Sequence, residues 1–257
     1  MITAVVNEAM WRGVGMSDFI YHYPTLWRGT LLKRYKRFFA DIELESGEVI
    51  TAHCPNTGPM TGIATVGNAV YVSRSDDPKR KLAYTWEMIA VQDHVPTWAG
   101  TNTSLPNKVI KQMLEQHLIP ELGEYSEVRG EVPYGSDRKS RIDFLLTTSD
   151  RPIYVEVKNT TWANDTLALF PDTVTTRGQK HLRELMALLP AAQPVMLYFI
   201  NRGDCTAFAP GESADPEYGR LFRQAIAAGV QILPCRFEVS PTGLRYLGLV
   251  PVQLPES

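Results

Sequence analysis

The hydrophobic period of this chain changes near Gly100, and that change constrains its fold more than any other feature. Before it, short runs rich in β-branched and aromatic residues, at 30–35, 37–44, 49–53, 69–73 and 82–91, read as strands. Turn clusters separate them: Ser46-Gly47, Pro55-Asn56-Thr57-Gly58-Pro59 and Ser75-Asp76-Asp77-Pro78. About five short strands at that spacing predict a small OB-like β-barrel over 26–100, with 1–25 as an N-terminal extension. After Gly100, Val109, Ile110, Met113, Leu114 and Leu118 recur at helical spacing, with Ser104 placed to cap and Pro106 in the first turn. Strands at 126–132, 140–146 and 153–158 follow. Leu182, Leu185, Met186 and Leu189 mark a second helix, 195–200 a buried strand, and Asp215-Pro216 to Gly229 a third helix. An α-β-β-β-α-β order with a further helix and strand predicts an α/β domain with a mixed sheet over 101–257.

Lys and Arg total 26 and Asp and Glu 28, for a net charge of −2, which excludes a polycationic binder but not a local basic patch. No apolar run approaches membrane-spanning length, and the start carries no basic n-region, so a cytoplasmic protein without membrane contact is expected. Cys54, Cys205 and Cys235 are far apart and form no CxxC pair, so buried thiols are expected rather than a disulfide framework or zinc cage. His53-Cys54 lacks a partner at ligand spacing and reads as a structural pair.

The sharpest chemical signal lies between Arg141 and Lys158. Period-2 alternation puts Ile142, Phe144 and Leu146 on one face of a strand and Asp143 on the other. In the next strand Val155 and Val157 point one way, Glu156 and Lys158 the other. A four-residue loop at 148–151 would pair Thr147 with Pro152 and set Asp143 opposite Glu156, with Cβ atoms about 4.5–5.5 Å apart. Two carboxylates that close repel unless one is protonated or a cation lies between them. Mg²⁺ or Mn²⁺, taking carboxylate and water oxygens, would resolve the conflict, and no organic cofactor is implied. Lys158 could then orient a water or neutralise a phosphate, the outline of metal-dependent phosphodiester hydrolysis. An acid two residues before a Lys also occurs at Asp77-Pro78-Lys79 and Asp137-Arg138-Lys139, both in turn-like segments; only Glu156-Val157-Lys158 sits on an apolar strand.

Two other segments suggest nucleic acid. Lys33-Arg34-Tyr35-Lys36-Arg37-Phe38-Phe39 interleaves cations with aromatics, the combination that holds phosphates and stacks bases. Lys79-Arg80-Lys81 is a second basic cluster that could extend the same groove. Thr175 begins the second helix, whose free N–H groups favour an anion, with Arg177, Gln179 or Lys180 able to reach a phosphate. Trp86, Trp98 and Trp162 are core or stacking residues.

These residues resemble a known family. Asp143 and the strand Glu156-Val157-Lys158 look like the core of PD-(D/E)XK nucleases. The stretches Arg34-Tyr35-Lys36-Arg37-Phe38, His53-Cys54-Pro55-Asn56-Thr57-Gly58, Ser140-Arg141-Ile142-Asp143-Phe144 and Arg177-Gly178-Gln179-Lys180-His181-Leu182 resemble the sugar fermentation stimulation protein A (SfsA) family. The resemblance runs from about residue 26 to 249. It implies an OB-like barrel and a nuclease-like domain, DNA binding largely without sequence preference, and a link to sugar, notably maltose, utilisation. It also implies Asp143 and Glu156 as metal ligands, with the Val157 carbonyl beside them and Lys158 catalytic. Cores of that type carry a further acid on the first helix. Here its early turns offer only Asn107 and Lys108, Glu115 comes late, and Glu121 or Glu131 are the substitutes. A Mg²⁺-dependent nuclease is therefore the alternative to a DNA-binding protein, and a small-molecule enzyme or sugar sensor a remote third.

Overall fold

The computed structural model describes residues 19–135 and 140–254; Asp137-Arg138-Lys139 and the first 18 residues lie outside them. The strands in the N-terminal part are β1 (Tyr21–His22), β2 (Leu26–Tyr35), β3 (Phe39–Leu44), β4 (Val49–His53), β5 (Ala69–Arg74), β6 (Tyr84–Gln92) and β7 (Pro96–Gly100). Six of them form a sheet in the order β4-β3-β2-β5-β6-β7. A parallel pairing of β4 with β6, at Ala52↔Tyr84 and His53↔Thr85, closes it into a barrel. Alternating residues of these strands, among them Leu31, Ile42, Val70, Val72 and Trp86, fill the interior. Gly29 is required where β2 presses on β3, since a Cβ there would stand 2.6 Å from the Glu43 carbonyl oxygen.

Two expectations are corrected here. The strand predicted from residue 37 begins at Phe39, because Lys36 and Arg37 adopt left-handed φ values of 48° and 65° in the reversal that joins β2 to β3. Residues 21–22, assigned to an N-terminal extension, pair with the last strand of the C-terminal sheet, where Ile20, Tyr21 and Tyr23 pack against its core.

The rest of the chain runs α1 (Leu105–Glu115), a 3₁₀ turn (Pro120–Leu122), β8 (Glu127–Tyr134), β9 (Ser140–Thr147), β10 (Ile153–Thr160), β11 (Trp162–Asn164), β12 (Leu167–Phe170), α2 (Thr176–Ala187), β13 (Gln193–Ile200), β14 (Ala207–Pro210), α3 (Pro216–Ala228), β15 (Gln231–Val239) and β16 (Gly243–Leu249). A seven-stranded mixed sheet has the order β1-β16-β15-β13-β10-β9-β8, with β10, β13 and β15 parallel. One face buries Val109, Ile110 and Met113 of α1 against Phe144, Val155 and Leu197. The other buries Leu182 and Leu185 of α2 and Phe222 of α3 against Met196 and Tyr198. Burying each such side chain stabilises by roughly 1.5–3 kcal/mol. Asp215 caps α3 by accepting from Tyr218 N, and Gly229 ends it with φ 107°. Ser104 occupies the first cap position, but its side chain makes no capping bond and itself donates to Asn102 Oδ1 at 2.6 Å. A small sheet, β11-β12-β14, was not anticipated.

Buried polar contacts join the two domains. Gly100 N donates to the Asn201 carbonyl at 2.9 Å. Arg202, 1% exposed, reaches both Asp204 and, from the barrel side, Asp93 at 2.7 Å. No helix among the described residues is long and apolar enough to cross a membrane.

Candidate divalent-cation and nucleic-acid site

The β9–β10 hairpin has the predicted register: Leu146, Leu145 and Phe144 face Ile153, Tyr154 and Val155. The ladder stops one pair short of Asp143 and Glu156. There Asp143 turns its carboxylate onto the β10 backbone, accepting from Val157 N at 2.7 Å, and β9 loses its regular alternation. Ile142 joins the core beneath α2 and α3, whereas Phe144 joins the one beneath α1. On the neighbouring strand Glu131 is distorted at the same level, with φ 54° between the pairs Gly130↔Phe144 and Val132↔Ile142.

Four side chains gather around the hairpin. Asn107, from the first turn of α1, donates to Asp143 Oδ1 at 2.7 Å. Lys158 Nζ lies 2.6 Å from Glu156 Oε1 and 2.9 Å from His181 Nδ1. His181, from α2, also bonds directly to Glu156 Oε1. Glu156 is 3% exposed, and its Oε2 has no partner among the described residues. Burial, then the neighbouring Glu156, pushes the Asp143 carboxyl up to about 6. Burial would also raise Glu156, but the bonds and charges of His181 and Lys158 outweigh it and hold that carboxyl below its ordinary range. The pair thus separates into an anchored carboxylate and one that resists ionisation, the division expected of two neighbouring carboxylates in unlike surroundings.

His181 carried no assigned role in the sequence; its signals were the period that places it on the buried face of α2 and its place in the family-resembling stretch 177–182. None of the acids named for a third ligand stands beside the pair. Asn107 occupies the helical position. Glu115 pairs with Lys111, and Glu131 is exposed with no bond to Asp143 or Glu156. Glu121 lies by Cys235 and Tyr246, three strands from β9, so it cannot substitute. Among the described residues, no three His, Cys, Asp or Glu side chains stand ready to hold a metal. A cation would rest on Asp143, Glu156 and water, which suits Mg²⁺, an ion that keeps several waters. The unpartnered Glu156 Oε2 fits such a ligand set.

The basic segments divide. Arg34, expected to contact phosphate, turns inward: its guanidinium donates to the carbonyls of Asn56 (3.0 Å) and Gly58 (2.7 Å) and clamps the loop 55–59. Lys33, Lys36 and Arg37 are exposed, with Lys33 5.5 Å above the Tyr35 ring, and Phe38 stands 49% exposed at the turn. Lys79 and Lys81 are exposed, while Arg80 donates to Thr85 Oγ1. At the second helix only Arg177 adjoins the carboxylates, through His181 at 3.4 Å. Gln179 donates to both carboxylate oxygens of Asp215, whereas Lys180 stays half-exposed with Glu184 Oε1 3.4 Å away. All three cysteines are buried and free; Trp86 is core, Trp98 packs on Tyr71, and Trp162 lines a cleft.

Comparison with known proteins agrees with this architecture. Residues 32–100 match the SfsA N-terminal OB domain, and residues 104–243 the sugar fermentation stimulation protein RE domain. The chain belongs to the sugar fermentation stimulation protein family. A sugar fermentation stimulation protein homolog of Cyanothece sp. is 72% identical over 93% of this chain and 100% of its own length. Another from Nostoc sp. is 67% identical, covering 91% and 98%. The solved SfsA of Pyrococcus furiosus, in complex with Ca²⁺, superposes with a TM-score of 0.82 at 24% identity, over 92% of this chain and 100% of that one. The family fold is therefore an OB barrel joined to a mixed α/β domain.

Proposed function

We propose that the protein binds DNA in the cytoplasm through its phosphate backbone, largely without sequence preference, and thereby influences sugar utilisation. The observation that carries this reading is the exposed turn Lys36-Arg37-Phe38, flanked by Lys33, on a barrel whose β4–β5 loop accepts from Thr103, just ahead of α1, at the Pro55 carbonyl. Cations there neutralise phosphates, and Phe38 offers a stacking surface. The shared name of the relatives supports the link to sugar metabolism. Salt titration tests it. The log–log slope of affinity should approach −0.9 per phosphate contacted, and affinity indifferent to salt overturns the reading.

A second reading, metal-dependent phosphodiester hydrolysis, is favoured by Lys158 standing beside the carboxylate pair. Asp143 and Glu156 would hold Mg²⁺ or Mn²⁺, as the Ca²⁺ bound by the Pyrococcus furiosus protein encourages. When bound, such an ion supplies Lewis-acid stabilisation of phosphate charge. Lys158 would position water or phosphate, with His181 fixing Lys158 and Glu156. Plasmid nicking by the wild type with Mn²⁺, absent from Asp143→Asn purified identically, would establish cleavage. Equal nicking by both would expose a contaminant.

A further inference from the structure

We propose that the cleft between the two domains, at the C-terminal end of β10, is a subsite for one unpaired nucleobase of a bound strand; this rests on the DNA-binding reading above. The cleft has a volume of about 160 Å³ and takes walls from both domains. Asn56 comes from the barrel loop that Arg34 clamps; Asn159 and Thr160 from β10; Trp162 from β11; Phe170 and Asp172 from the end of β12 and the loop beyond.

Its side chains hold hydrogen-bonding capacity that the protein does not use. Thr160 is 1% exposed, yet its Oγ1 has no partner among the described residues. Asn159 spends Oδ1 on Asn201 and Asn56 spends Oδ1 on Gly58, so both amide N–H₂ groups remain. Trp162 is half-buried, and among the described residues it has neither a ring partner nor a hydrogen bond for its indole N–H. Its seat is shaped by Gly211, where a Cβ would stand 2.8 Å from Trp162 Cζ3. A half-buried indole without an aromatic partner, beside amide donors and a hydroxyl, suits a planar heterocycle with a polar edge. Asp172 is the one charged group lining the cleft, and its carboxylate repels phosphate. The base enters, and the backbone stays outside. Thr160 lies four residues beyond Glu156, about 13 Å along the strand, so one bound strand spans both sites within a few nucleotides.

The test measures binding, not cleavage. Anisotropy of a single-stranded oligonucleotide and of a blunt duplex of equal length is followed in EDTA, for wild type, Trp162→Leu and Trp162→Phe, with circular dichroism to verify folding. Loss of one stacked base should weaken single-strand binding about 5- to 100-fold in Trp162→Leu, leave duplex binding unchanged, and be largely restored in Trp162→Phe. Unchanged single-strand affinity, or equal loss on both DNAs, overturns the subsite while leaving DNA binding intact. Wild type that binds neither DNA overturns the parent reading and the subsite together. Saturable quenching of Trp162 by maltose or glucose, with none by the oligonucleotide, would make the cleft a sugar pocket instead.

Discussion

Asp143→Asn should make this protein more stable at neutral pH in the absence of divalent cation. The Asp143 carboxyl titrates near 6 in the folded chain against 3.8 when unperturbed, a difference of about 2 pKa units. At about 1.36 kcal/mol per unit, holding it ionised costs the folded state roughly 3 kcal/mol. The native state binds this proton more tightly than the unfolded chain. The penalty is therefore absent below pH 4, grows as pH rises, and is complete above pH 6. Asn removes the charge but keeps one acceptor oxygen, which Val157 N can still use; its NH₂ then faces Asn107, whose amide must flip to present Oδ1, and the weakened pair costs about 1 kcal/mol. The net gain at pH 7.5 is about 2 kcal/mol, or roughly 4–8 °C in Tm for a chain of this size. Thermal unfolding of both proteins in EDTA from pH 4 to 8 reads it directly. The two melting curves should cross, with wild type equal or better near pH 4 and the variant better above pH 6. Ca²⁺ or Mn²⁺ should then raise the Tm of wild type and not that of Asp143→Asn. A variant less stable than wild type at pH 7.5 in EDTA would refute the reasoning, since the two carboxylates would not then be in conflict.

Arg34→Ala should cost about 1.5–3 kcal/mol in a denaturant titration, because the carbonyls of Asn56 and Gly58 lose a charged donor. By contrast, Lys36→Ala with Arg37→Ala should leave stability within about 0.5 kcal/mol and lower the salt slope of duplex binding by about 2. Gly100→Ala would place a Cβ 2.2 Å from Asn201 Oδ1 at the domain junction, and should destabilise by about 1–3 kcal/mol by the same titration. Asn107→Asp adds a third carboxylate against Asp143; calorimetry should show tighter Mn²⁺ binding, while the cation-free protein melts lower at pH 7.5.

The hairpin register was legible because an apolar face and a short loop leave β9 and β10 only one way to pair. Alternation alone then placed Glu156 and Lys158 together. Ile142 escaped it, because Asp143 interrupts the ladder to bond a backbone N–H that periodicity does not represent. His181 escaped for another reason: it lies 25 residues beyond Glu156 on a helix whose docking depends on tertiary packing. Arg34 shows the limit of reading charge from composition. A cation aimed at solvent and one aimed at carbonyls 22 and 24 residues later look alike in sequence. Gln179 shows the same limit, since its amide donates to Asp215, 36 residues later. The strands β11, β12 and β14 are three or four residues long, too short for period-2 alternation to separate them from loop.

The bonds that correct these readings also fix how the two domains meet. Arg34 holds the Asn56 backbone, Asn201 spans Gly100 and Asn159, and Thr103 reaches back to the Pro55 carbonyl. The Arg34 bond fixes the barrel's own wall of the interdomain cleft, while the Asn201 and Thr103 bonds tie that barrel to the C-terminal domain. Arg202 adds an ion pair across the same junction. Swinging the barrel away would take Asp93 from a guanidinium that is only 1% exposed, leaving Asp204 to balance it alone. The loss is a partial one, because Asp93 is about a third exposed and Arg202 keeps both bonds to Asp204. On the proposed subsite, a strand would meet a cleft whose walls these bonds already hold, so that less ordering cost falls on association.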